Sequence, residues 1–61
     1  MKNTTEYLYE MISILNKAIN DINNKINSNY KVDLNIAIRE TLNSQIKEYR
    51  EDLLYLISKN N

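Results

Sequence analysis

Sixty-one residues make one small domain at most, and 43% hydrophobic content argues against a disordered chain. With no Cys and no His, neither a disulfide nor a thiolate zinc site is possible, and the commonest metal ligand is missing. Eight basic residues balance eight acidic ones, three against three in residues 1–30 and five against five in 31–61, so no positive excess exists to displace the counterions of a nucleic acid.

The first predicted element opens with NTTE. Asn3 is placed to accept from free backbone N–H groups, and Glu6 three residues on can reach back, a capping box with Asn in the usual Ser/Thr place. Leu8, Ile12, Leu15, Ile19, Ile22 and Ile26 then recur at spacings 4, 3, 4, 3, 4, which draws an apolar seam along one side of a helix. Met11 and Ala18 widen the seam. Glu10, Asn16, Lys17, Asn20, Asp21, Asn24 and Lys25 take the opposite face, interrupted only by Ile14. Lys17, Asp21 and Lys25 form an i, i+4 charge ladder.

Residues 29–40, NYKVDLNIAIRE, carry two signals at once. Tyr30, Val32, Leu34, Ile36 and Ile38 alternate with polar or small residues, which is the period of a half-buried strand. A lone strand would leave its ladder groups unpaired unless a second copy supplied the partner. The favoured reading is therefore a turn over Asn29–Val32, with Asn29 tolerating the left-handed conformation that closes helices without Gly. Asp33 is then expected as the N-cap of a helix starting at Leu34. An intermolecular strand over 30–38 is the alternative.

The second helix repeats the theme. Leu42, Ile46, Tyr49, Leu53 and Leu56 fall at spacings 4, 3, 4, 3, with Ile38 extending the stripe backward and Leu54 and Ile57 broadening its end. Arg39, Glu40, Lys47, Glu48, Arg50, Glu51 and Asp52 are assigned to the other side, and Ile36 points away from the seam. Ile26 and Leu42 are sixteen residues apart where a continuous pattern needs seventeen, so the two stripes call for a break between them. Zero Gly and zero Pro also argue against an all-β fold, which leans on Gly-containing hairpin turns. The expected fold is all-α: an antiparallel helical hairpin of residues 3–28 and 33–58, spanning residues 1–61 as one domain.

A chain this short buries only about 60% of its unfolded surface. Without disulfide or metal, self-association is the remaining support. The expectation is a homodimer forming a four-helix bundle, with Met11, Ile14, Ile36, Leu54 and Ile57 as spare apolar residues for the second interface. A coiled-coil dimer of extended chains is the structural alternative.

The sequence offers little chemistry. Ser13, Ser28, Ser44 and Ser58 have no His as a base, and no Gly-rich loop can cradle a phosphate. Glu48, Glu51 and Asp52 with Glu6 and Glu10 lack the Glu-x-x-His motifs of carboxylate metal sites in bundles, and read as a solvated face. No catalytic residue, cofactor or metal is expected. The longest apolar run is five residues, Leu53 to Ile57, so no membrane span is expected. The opening MKNTTEYLYEM has no signal-peptide pattern, and a cytoplasmic location is expected. Eleven Asn and nine Ile against two Ala fit an AT-rich coding genome, as in low-GC bacteria and their phages.

Ser44-Gln45 within a late helix of a two-helix chain resembles the Spo0E-like aspartyl-phosphate phosphatases. Their signature continues Ser-Gln-x-Leu-Asp, whereas Ile46, Lys47 and Glu48 follow here. The Leu and Asp of that signature are missing, and no activity is carried over. The leading expectation is a non-enzymatic protein that binds a larger protein as an inhibitor or regulator, for example one by which a phage disarms a bacterial defence system. Tyr7, Tyr9 and Tyr55, brought together at the open end of the hairpin, and Ile36 are the candidate partner-binding residues. The alternatives are the phosphatase and a small DNA-binding repressor built on a strand paired across a dimer.

Overall fold

The computed structural model describes residues 3–60, so the extreme ends of the expected 1–61 domain lie outside the description. Two helices form an antiparallel hairpin: α1 (Thr4–Asn27) and α2 (Val32–Asn60). Asn3 caps α1 as its sequence position suggested. Its backbone is extended (φ −74°, ψ 168°), its Oδ1 accepts from the Glu6 N–H at 2.8 Å, and its carbonyl accepts from the Tyr7 N–H at 3.0 Å.

The connection is four residues, 28–31, closed without Gly. The Asn29 N–H donates to the Ile26 carbonyl and the Tyr30 N–H to the Lys25 carbonyl, both at 2.9 Å. This pair of bonds is a Schellman closure, with Asn29 at the left-handed position (φ 60°). Lys31 follows, also at positive φ (43°), where a side chain bearing Cβ carries strain. The second left-handed residue completes the reversal early. The Lys31 carbonyl already accepts the Asn35 N–H at 3.0 Å, so α2 starts at Val32 and not at Leu34. Asp33 is therefore not the N-cap. It lies in the first turn, where its charge faces the positive end of the helix dipole. Residues 32–38 are helix and not the intermolecular strand of the alternative reading.

Among the described residues the hydrophobic core is five side chains: Leu8, Leu15, Ile22, Ile46 and Leu53. Leu8, Leu15 and Ile22 are seven residues apart along α1, and Arg39, Ile46 and Leu53 are seven apart along α2. Two turns of helix separate each from the next. The Arg39 Nη1 donates to Asn23 Oδ1 at 2.8 Å across the hairpin and sets the register. Stepping outward from that bond gives three levels: Ile22 with Arg39, Leu15 with Ile46, Leu8 with Leu53.

This register corrects the expected start of the second seam. Leu34 is 55% exposed and Ile38 37% exposed, whereas Asn35 is buried at 4% and Arg39 and Ile36 are half-buried. Helical period decided the matter over hydrophobicity. Continuing the alternation of three and four backward from Leu42 gives Arg39, Asn35 and Val32. The four-residue step to Ile38 is apolar but turns off the seam. Asn35 tolerates burial because its Nδ2 donates to the Tyr30 carbonyl at 2.8 Å. Ile36 flanks the seam and does not point away from it.

The result is one layer of two helices, 46 × 20 × 14 Å. Its radius of gyration is 14.2 Å, against about 10.5 Å for a compact chain of this length.

Candidate binding surface

Tyr7, Tyr9 and Tyr55 are 48%, 56% and 62% exposed near the open end of the hairpin. Ile36 is half-buried near the turn. Nineteen residues separate Ile36 from Tyr55 on α2, or about 28 Å along the helix. The structure thus brings three of the four candidate residues to one end and leaves Ile36 at the other.

The three tyrosines do not share one side. Residues two apart on a helix point about 200° apart, so Tyr7 and Tyr9 flank α1 on opposite edges. Two interactions across the hairpin identify the sides. On the first, the Tyr7 and Tyr49 side chains meet: the Tyr7 charge, then burial, then a side-chain hydrogen bond with Tyr7, raise the Tyr49 phenol above its ordinary pKa, with Glu48 and Asp52 adding to the effect. On the second, Arg39 bonds Asn23.

The first side carries Tyr7, Met11, Ile14 and Ala18 along α1 at spacings 4, 3, 4. Ile14 is 52% exposed there, and Met11 and Ala18 are half-buried. From α2 it takes Leu34, Ile38 and Tyr49 by the same helical arithmetic. The second side holds Tyr9, Asn16, Asn20 and Asn23 from α1, with Ile36, Asn43, Arg50 and Leu54 from α2. The spare apolar residues expected to form one second interface are therefore divided, Met11 and Ile14 on one side, Ile36 and Leu54 on the other. The sequence held the signal for this division, since the spacing 7, 11, 14, 18 is itself a helical stripe.

Two cations lie against exposed rings. Lys59 Nζ is 5.7 Å from the centre of the Tyr55 ring, and Lys31 Nζ is 5.4 Å from that of Tyr30. The first occupies part of the Tyr55 face, so the open end presents an aromatic edged by positive charge.

Ser44, Gln45 and Glu48, the residues nearest the phosphatase signature, are all exposed on α2. Among the described residues the surface has no pocket, and no group of three or more His, Cys, Asp or Glu gathers to hold a metal. No described helix is long and apolar enough to cross a membrane. Comparison with models of known families, with curated proteins and with solved structures finds no match to this chain.

Proposed function

We propose that this chain is a non-enzymatic binding protein: a helical hairpin that dimerises into a four-helix bundle and acts as an inhibitor or regulator of a larger protein in the cytoplasm. The observation that carries the reading is the amount of large apolar surface on so small a body. Tyr9, Leu54 and Tyr55 are 56%, 66% and 62% exposed around the open end, where no other described element covers them. Tyr is favoured at surfaces where one edge of the ring is dry and the other wet. Recognition in this reading needs surface and no pocket, which suits a flat two-helix layer.

The test is affinity capture from a bacterial lysate with the wild-type chain and with a Tyr9→Ala/Tyr55→Ala variant, the captured protein then being purified and titrated against both. The expected result is one larger protein bound by the wild type and at least about tenfold more weakly by the variant, with helical circular dichroism unchanged. Equal affinity of the two chains would remove the open end from the binding surface. A wild type that binds no protein would end the reading.

A further inference from the structure

We infer that the side of the hairpin bearing Tyr7, Met11, Ile14 and Ala18 on α1 with Leu34 and Ile38 on α2 is the self-association face, and that its occupant is a second copy of this chain. The inference rests on the dimeric reading above and adds which surface the dimer uses.

Area argues for the occupant. A folded chain of 7.3 kDa exposes about 4,200 Å², whereas this hairpin exposes 4861 Å². The excess, roughly 700 Å² per chain, approaches the roughly 800 Å² that each partner contributes to a specific interface. One layer 14 Å thick gains its missing second layer by stacking on a twin, which makes the four-helix arrangement. Two-fold pairing requires a single self-complementary patch on each copy.

Chemistry then selects the side. The Asn-rich side would bury Asn16, Asn20 and Asn43 along with Arg50, and amide and guanidinium groups without partners are costly to dehydrate. The other side offers an apolar stripe on α1 from Tyr7 to Ala18, which Asp21 and Lys25 continue toward the turn at the same alternating spacing of 3 and 4, and from α2 it takes Leu34 and Ile38 along with Gln45 and Asp52. Apolar centre and charged rim is the usual anatomy of an interface. Leu34 and Ile38, which the register turns off the intramolecular seam, find their burial here. Tyr7 belongs to this face, which leaves Tyr9 and Tyr55 for a target.

The test uses sedimentation equilibrium and circular dichroism on the full chain. Wild type is expected at twice the 7.3 kDa chain mass at micromolar concentration. Ile14→Lys should weaken association at least about tenfold, since it puts a charge in the dehydrated centre. Leu54→Lys, on the opposite side, should remain dimeric. The chain has no Cys, so a nitroxide on Ile14→Cys or on Leu54→Cys reports a single site. Dipolar coupling between copies is expected to be strong from position 14 and weak from position 54, and it decides the face even where Ile14→Lys loses its helix. A monomeric or larger wild-type assembly would overturn both the dimer and its face. A dimer whose coupling is strong from position 54 and weak from 14 would overturn the face alone.

Discussion

Arg39 at the level of the seam nearest the turn makes a demanding test of the register. Its Nη1 donates to Asn23 Oδ1 at 2.8 Å in a partly buried setting, so the bond has one charged partner and incomplete access to water. Hydrogen bonds to charged groups contribute about 1.5–3 kcal/mol, and partial exposure to water brings this one below that range. A double-mutant cycle with Asn23→Ala, Arg39→Ala and the double variant should give a coupling energy of about 1 kcal/mol. Arg39→Leu tests the level itself. It removes the bond but sets an apolar side chain opposite Ile22, whose burial is worth about 1.5–3 kcal/mol when complete. Leu at this position should therefore hold or raise stability, whereas Asp should lower it by more than Ala does. Urea denaturation followed by circular dichroism, at one fixed chain concentration, reads all of these. A coupling below about 0.3 kcal/mol, inside the usual additivity error, would refute the pairing. An Arg39→Leu variant less stable than Arg39→Ala would refute the placement of residue 39 in the seam.

Two further outcomes follow from local geometry. Lys31→Gly removes the Cβ from a left-handed position and should raise the denaturation midpoint, the gain of up to about 1 kcal/mol being reduced by the greater freedom of Gly in the unfolded chain; a lower midpoint would show that the turn does not hold this conformation. For Tyr49 the folded pKa lies above the unfolded one, so its contribution is fully present below about pH 10 and is lost as pH rises through the folded value. Tyr49→Phe should flatten the alkaline fall in stability measured by thermal melts across that range, and an unchanged slope would mean that Tyr49 and Tyr7 do not interact.

Much of this fold is written in local pattern. The seam on α1 and the middle of the seam on α2 follow from apolar spacing, and Asn3 and Asn29 sit at the helix ends where their side chains and backbone tolerances suit them. The first turns of α2 were harder to read because two rules disagreed. Hydrophobicity favoured Leu34 and Ile38, and period favoured Asn35 and Arg39. Period prevailed because each polar residue has a specific partner, the Tyr30 carbonyl and the Asn23 side chain, and neither partner is adjacent in sequence. Lys31 as the last residue before α2 carried no signal, since a left-handed Lys runs against propensity. For the candidate surface, the exposure of Tyr7, Tyr9 and Tyr55 was legible. Their distribution over different sides was implicit in the two-residue step from Tyr7 to Tyr9, and became plain only once the register related the flanks of α1 to those of α2.

The three-level register also orders assembly. Ile22 and Arg39 are separated by 17 residues, Leu15 and Ile46 by 31, and Leu8 and Leu53 by 45. Closing the shortest loop first leaves each later level only a small additional loss of chain freedom, because closure entropy grows with the logarithm of length. The chain can thus zip from the four-residue bend outward, and unzip in reverse. Leu8 and Leu53 are the last pair to join, and Tyr9 and Tyr55 stand beside them. A target gripping that mouth would clasp the weakest fastening of the hairpin, so that capture and completion of the fold become one event.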